Sequence, residues 1–142
     1  IIKIYIMRKF LILSLSVFSL ISCEKEGEFT QKHNQKINLN SAVLIKTGQF
    51  ATTSGISGFG SVKIYAENNL RKLALENYTI DNGPDLKVYL STTDEPNTFV
   101  NLGNLNPETV YMIPNSVDLN VYKYVLIHCQ QYHHLFATSL PN

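Results

Sequence analysis

The sequence lacks an excess of charge of either sign, a long apolar run and the common catalytic motifs. Its 12 Lys and Arg residues balance 11 Asp and Glu residues to a formal net charge of +1, and without a basic block or stripe no nucleic-acid partner is expected. The apolar run 10–21 falls short of the ~20 residues of a membrane-spanning helix. A nucleophile elbow, an H-E-x-x-H motif and a phosphate loop are all absent, so no hydrolase or nucleotide-binding activity is predicted.

A short basic segment and an apolar segment precede Cys23. Met7 is followed by two basic residues, then by the apolar run 10–21 and a serine. A basic start, an apolar stretch of this length and a small residue before a cleavage site are typical of an export signal. The sequence therefore predicts a signal peptide over residues 1–22, in which residues 1–6 lie upstream of the true start at Met7.

The four residues that end at Cys23 resemble a bacterial lipobox, in which the residue after the cut is always cysteine. They are Leu20, Ile21, Ser22 and Cys23. The resemblance implies that the Cys23 thiol takes a diacylglycerol and, with further acyl chains such as palmitate, anchors the protein stably to a membrane. An ordinary secretory signal with an incidental cysteine is the alternative. We therefore expect a lipid-anchored protein of the bacterial cell envelope, either periplasmic or surface-exposed.

A polar segment separates this cysteine from the rest of the chain. Residues 24–28 are mostly charged, and they resemble the acidic segments that follow the cysteine in some surface lipoproteins of Bacteroidetes. Residues 30–40 are rich in Asn, Gln and Lys without an apolar period, which is typical of a linker. The predicted organisation is a signal peptide, a lipidated cysteine with its linker over 23–40, and one domain over 41–142.

Residues 41–142 show short alternating runs separated by turn signals, which is an all-β pattern. The run 86–90 alternates cleanly, Asn68 and Asn69 suit a tight hairpin between two strands, and 81–85 is a dense turn cluster. No segment shows the period of a helix of three turns. We therefore predict a single antiparallel β-sandwich or flattened barrel of about seven or eight strands.

Six short motifs follow one another along the predicted domain. In chain order they are 47–50 with 60–64, Asn82-Gly83-Pro84-Asp85-Leu86 with the strand that continues to Ser91, 100–105, 110–114, 125–132 and 135–140. In this order they resemble the DM-thirteen family, also called the electron-transfer DM domain. The resemblance runs from about Gly48 to Leu140 and so covers nearly the whole predicted domain.

The resemblance implies a role in electron transfer at the cell surface, with a redox partner that the sequence does not identify. The family's signature cysteine, proposed to act as a bare thiol or to bind a prosthetic group such as haem, corresponds to Cys129. Two positions depart from the family pattern: His128 stands where Trp is usual, and Tyr132 where Phe is usual. Since the C-x-x-C-H attachment motif is absent, any haem would be held without a covalent link.

Cys129 is the single thiol of the mature chain if Cys23 carries lipid. An intramolecular disulfide is then excluded, while a free thiol, a ligand or half of an intermolecular bridge stays open. Cys129 lies in phase with Val125 and Ile127 and should point inward, where a cysteine is commonly an inert core residue. His128 should point to the opposite face of the sheet.

His133 and His134 are the other histidines near Cys129. On a straight strand Cys129 and His133 share a face but lie ~13 Å apart, which is too far for ligands of one metal ion. A turn at 130–131 would bring the histidines back, either as partners of the thiol or as surface residues. No metal site is predicted, and the two carboxylates of 81–85 are interpreted as turn residues.

Two hypotheses of different kinds follow. The first is a membrane-anchored DM-thirteen lipoprotein that transfers electrons at the cell envelope through Cys129, with His128, Tyr132, His133 and His134 as secondary site residues. The second is a non-redox ligand-binding or adhesion sandwich in which Cys129 is only a core residue. Haem enters the first hypothesis through the family resemblance alone.

Overall fold

The computed structural model describes residues 36–105 and 109–142. The predicted signal peptide, the lipid site Cys23 and most of the predicted linker lie outside these residues. Among the residues described, no helix is both long and apolar enough to cross a membrane. This part of the chain forms the strands β1 Val43–Gln49, β2 Ala51–Thr52, β3 Gly58–Glu67, β4 Leu70–Ile80, β5 Leu86–Ser91, β6 Phe99–Asn104, β7 Val110–Ile113, β8 Tyr124–Cys129 and β9 His134–Ser139.

The strands form two antiparallel sheets. One has four strands in the order β1-β3-β4-β7, and the other has five in the order β2-β9-β8-β5-β6. The predicted all-β sandwich is therefore confirmed. The strands described number nine rather than seven or eight, because β2 has only two residues and β1 exposes most of its side chains, so that neither shows a clear alternation in the sequence.

Side chains from both sheets fill one core. The four-stranded sheet contributes Val62, Ile64 and Leu73, and the five-stranded sheet contributes Val88 and Ile127, all of them at most 2 % exposed. Burying a side chain of this size is worth roughly 1.5–3 kcal/mol. In the longer strands, the apolar residues of the alternating sequence pattern face this core, and the residues between them face the outside of the sheet.

Strand β4 departs from simple alternation because residues 72–75 are all buried. On its outer face, Lys72 forms an ion pair of 2.5 Å with Glu67, and the Ser41 hydroxyl donates to the same carboxylate at 3.0 Å. The Lys72 ammonium also donates to the carbonyl of Lys36 at 3.2 Å. The last residues of the predicted linker thus lie against the four-stranded sheet, beside the hairpin between β3 and β4.

Asn68 and Asn69 connect β3 to β4, as predicted. Their φ angles are 50° and 63°, and two successive positive φ angles are what a two-residue type I′ hairpin requires. Asn visits this left-handed region more readily than most residues, because its short polar side chain can bond locally.

The loops cluster at the two ends of the sandwich. The hairpin Asn68–Asn69 marks one end. The loop 53–57, the turn 81–85 and the turn 130–133 mark the other end, which we call the cysteine end because β8 terminates there at Cys129. These connections position the residues discussed below.

Candidate functional site

Cys129 ends β8 on the core face of the five-stranded sheet. Its side chain is 1 % exposed and belongs to one core cluster with Val125 and Ile127, so it points inward as the alternation predicts. Its strand partners are Leu86 on β5 and His134 on β9. The thiol is therefore enclosed by the core, yet it lies one residue from an exposed turn.

The turn 81–85 is fixed at both of its ends. The backbone N–H of Asp81 donates to the carbonyl of Ser57 at 2.9 Å, and the Asp81 carboxylate accepts from the Ser57 N–H at 2.7 Å. At the other end, the Gln130 N–H donates to the carbonyl of Asp85 at 3.0 Å. The Asp81 carboxylate thus bonds an amide of the loop 53–57 and not the local amide that turn chemistry predicts, and the turn is tied directly to the hairpin that follows Cys129.

The chain reverses over residues 130–133, and this reversal pairs His134 with Cys129. His133 lies in this turn with a φ of 51°, while His134 begins β9 directly opposite Cys129. Opposite residues of an antiparallel pair carry Cβ atoms about 4.5–5.5 Å apart on the same face. The spacing along a straight strand therefore does not apply, and the histidine that comes next to the thiol is His134.

His128 lies on the other face of the sheet and is also buried, at 5 % exposure. The centroid of its ring is 5.4 Å from that of Tyr89, which in turn stacks on Phe99 at 4.2 Å. Burial lowers the pKa of His128 below its ordinary value of 6.5, and the nearby charges of His133 and His134 lower it further. Its Nδ1 has no hydrogen-bond partner within the described part of the chain. His128 is therefore a neutral imidazole at pH 7.

Tyr89 is a buried residue that the sequence analysis missed. Burial raises its pKa to about 12, with smaller contributions from the charges of Asp85 and Cys129. Its phenol therefore stays protonated throughout the physiological pH range. The period of the run 86–90 places Tyr89 on the face opposite the core, and that signal alone would have predicted an exposed tyrosine.

A polar cluster beside the turn was also missed. The Lys87 ammonium lies 2.7 Å from Oδ1 of Asp85 and donates to Oδ1 of Asn104 at 2.5 Å. Residues 82–86 and Asn104 enclose a cavity of about 200 Å³ next to this cluster. The pairing of β5 with β6 brings Asn104 to the turn, and no local pattern in the sequence signals that contact.

Tyr132 lies exposed in the turn after Cys129, at 67 % exposure. It therefore presents its ring to solvent at the cysteine end and takes no part in the core. Of the residues singled out from the sequence, the structure pairs His134 with Cys129 in the register of β8 and β9, places His128 on the far face of the sheet and leaves Tyr132 and His133 in the turn.

The metal and haem hypotheses have different geometric demands. In the ranges 36–105 and 109–142, no group of three or more His, Cys, Asp or Glu side chains is placed to hold a metal ion. Haem needs a large apolar slot with an axial ligand. The cavity that the described residues form beside β5 is too small and too polar for it, and the Cys129 thiol is packed within the core. The described residues at the cysteine end therefore do not fit a haem.

Fold and site together define a class of protein: an antiparallel β-sandwich with one buried cysteine at the end of a central strand, next to a Gly-Pro turn. A family model described as Electron transfer DM13 matches residues 49–139. The match covers well over half of the chain and includes both the turn 81–85 and Cys129, so the protein belongs to the electron transfer DM13 family. Comparisons with curated proteins and with solved structures found no match.

Proposed function

We propose that this protein is a membrane-anchored electron-transfer module of the bacterial cell envelope and that it works through Cys129. Membership of the electron transfer DM13 family supports electron transfer as the general role. The observation that carries the finer proposal is the pairing of Cys129 with His134 across the hairpin. An imidazole beside a thiol can take its proton and so favour the reactive thiolate.

A single thiol can exchange electrons with a disulfide of a partner protein. The Cys129 thiol gives its proton to His134, and the thiolate attacks one sulfur of the partner disulfide. A bond forms between Cys129 and that sulfur, while the second partner sulfur leaves as a thiolate. Because Cys129 is buried, this exchange requires the turn 130–133 to open locally.

The proposed anchor rests on the N-terminal motifs. The basic start, the apolar run 10–21 and the lipobox ending at Cys23 support lipid attachment. Within the predicted linker, the carbonyl of Lys36 contacts Lys72 beside the hairpin between β3 and β4. That hairpin lies at the end of the sandwich opposite Cys129, so this point of the linker lies away from the cysteine end.

A second function is favoured by the burial of the thiol itself. A cysteine enclosed by apolar side chains usually behaves as a small inert hydrophobe. In that case the protein is a non-redox ligand-binding or adhesion module, and Cys129 only fills the core.

Thiol exchange in the folded protein separates these two functions. The full-length protein is reacted with an aromatic disulfide reagent under native conditions, its absorption spectrum is recorded, and Cys129→Ala serves as the control. Electron transfer through the thiol predicts a mixed disulfide at Cys129 while the protein stays folded. A thiol that reacts only at the rate of global unfolding would assign Cys129 to the core.

Lipid attachment is tested separately by mass spectrometry of the protein made in a bacterium that processes lipoproteins. The expected product begins at Cys23 and carries the mass of a diacylglycerol with further acyl chains. Cys23→Ser should abolish this mass and release the protein from the membrane fraction. An unmodified Cys23 in the membrane-free fraction would contradict the anchor.

A further inference from the structure

A polar cavity at the cysteine end has no part in the proposed thiol chemistry. It is lined by Asn82, Gly83, Pro84, Asp85, Leu86 and Asn104, and its volume is about 200 Å³. Asn82, Pro84 and Asn104 are exposed, so the cavity opens to solvent. Drug-sized ligands fill roughly 300–1,000 Å³, and the smaller volume here limits a ligand to about one ring.

The charge in the cavity wall is balanced within the protein. The Asp85 carboxylate lies 2.7 Å from the Lys87 ammonium, whose side chain is only 11 % exposed. A carboxylate paired in this way leaves no net charge to attract an ion. A charged ligand would lose hydration without compensation on entering, so the wall selects a neutral one.

The contacts of Lys87 determine which polar atoms of the cavity wall remain available to a ligand. The Lys87 ammonium donates to Oδ1 of Asn104 at 2.5 Å, and the amide nitrogen of Asn104 is the donor that remains available among residues 36–105 and 109–142. The ion pair occupies Oδ1 of Asp85, which leaves Oδ2 as an acceptor. A donor beside an acceptor suits hydroxyl groups, because a hydroxyl both accepts and donates. Pro84 and Leu86 add apolar surface for the face of a ring.

The wall is held in place by backbone hydrogen bonds. The Leu105 N–H donates to the carbonyl of Leu86 at 2.9 Å, and the Tyr111 hydroxyl donates to the carbonyl of Asn104 at 2.9 Å. The first bond joins Leu86 to the end of β6, and the second joins Asn104 to β7. A wall ordered in advance loses little conformational entropy on binding.

We propose that this cavity binds a neutral six-membered ring that carries two or more hydroxyl groups. Asn104 donates to one hydroxyl oxygen, Asp85 accepts from a second hydroxyl, and Pro84 with Leu86 contacts the ring face. Two sources share this chemistry, a hydroquinone and a sugar residue. Leu86 is the strand partner of Cys129, so the ligand lies one strand from the thiol, but its binding does not require the thiol.

The test is a titration of the ¹⁵N-labelled full-length protein in detergent micelles, first with hydroquinone and separately with glucose. The backbone amide signals of Gly83, Leu86 and Asn104 should shift and saturate. Saturation with hydroquinone alone identifies the ligand as a quinol, and saturation with glucose alone identifies it as a sugar. Saturation with both shows that the cavity recognises the ring and its hydroxyl groups in either source. Asn104→Ala should weaken the binding at least about tenfold, since it removes the donor to the ligand.

Matched variants keep the proposal falsifiable. Asn97→Ala removes an exposed asparagine at the opposite end of the sandwich and should leave the affinity unchanged. Asn104→Asp, which removes the donor but keeps an oxygen for Lys87, replaces Asn104→Ala if the latter does not fold. Absence of saturable shifts with both probes up to their solubility limits overturns the proposal, and so does wild-type affinity in the folded cavity variants. Cys129→Ala should bind the ligand with the affinity of the wild type. Ligand binding is therefore tested independently of the proposed thiol function.

Discussion

Cys129 and His134 lie directly opposite each other across the hairpin that joins β8 to β9. The thiol is buried, whereas the histidine is exposed. The pair thus places a core thiol opposite an imidazole at the surface. It exists only because four residues, 130–133, reverse the chain between the two strands.

The first prediction concerns this pair. His134→Ala should slow the reaction of the native Cys129 thiol with a disulfide reagent about three- to tenfold, because the imidazole no longer favours the thiolate. The rate is followed by the release of the aromatic thiol. His133→Asn is the matched control, since His133 is also exposed but is not opposite the thiol, and Asn tolerates the φ of 51° at this position. Equal rates in wild type and His134→Ala would show that the pairing has no chemical effect.

The second prediction concerns acid stability and His128. Its pKa is lowered from 6.5 in the folded protein, by burial first and then by His133 and His134. The unfolded chain therefore binds a proton near pH 6.5 that the folded chain does not bind, and stability is lost as the pH falls below that value. Urea unfolding between pH 7 and pH 5 should show this loss in the wild type.

His128→Phe keeps an aromatic ring beside Tyr89 and should flatten that pH dependence. His133→Gln should keep most of it, since burial is the larger cause. The carboxylates Glu67 and Glu76 have pKa values lowered from 4.5, so their contributions are lost at lower pH than this window. An unchanged slope in His128→Phe would show that another group is responsible.

Local patterns in the sequence were enough to place the residues whose position depends on the strand period. The alternation of 86–90 puts Val88 in the core, and the phase of Cys129 with Ile127 puts the thiol there too. The hairpin at Asn68 and Asn69 also follows from adjacent residues. These features depend on period-two geometry and turn chemistry, which neighbouring residues determine.

Contacts between distant strands could not be predicted in the same way. The burial of His128 and the bond from Lys87 to Asn104 both depend on β5 lying between β8 and β6. The sequence shows that these strands exist, but it does not show which of them become neighbours. The cavity next to Asn104 is therefore a product of topology, and only the structure reveals it.

The third prediction concerns alkaline stability and Tyr89. Burial raises its pKa from 10.0 to about 12 in the folded protein. The stability it contributes is fully present below pH 10 and is lost as the pH rises from there through the folded value. A pKa difference of this size corresponds to roughly 2–3 kcal/mol.

Tyr89→Phe should remove this alkaline loss, and it should also remove the last phenol ionisation step in an ultraviolet titration. Tyr132→Phe, at an exposed position, is the control and should leave that step in place. A titration in which Tyr89→Phe retains the late step would assign it to a different tyrosine.

The last prediction uses two glycines that differ in the space around them. A Cβ added to Gly60 would come within 2.4 Å of Cβ and 2.8 Å of Cα of Tyr78, whereas a Cβ added to Gly55 would meet nothing within 4 Å. Neither Tyr78 atom can move away without shifting β4. Gly60 itself lies at an irregularity in the pairing of β3 with β4, between Phe59 and Ser61. Gly60→Ala should therefore lower the free energy of unfolding by about 3 kcal/mol.

Gly55→Ala measures the conformational cost alone, since Gly55 has a φ of 83° in open space. That cost should be about 1–2 kcal/mol. Urea unfolding of both variants compares them, and the excess loss in Gly60→Ala reports the steric contact with Tyr78 together with the different φ of 154° at Gly60. An equal loss of stability in the two variants would contradict the close contact between Gly60 and Tyr78. It would also contradict the local register of β3 and β4 that leads into the turn 81–85.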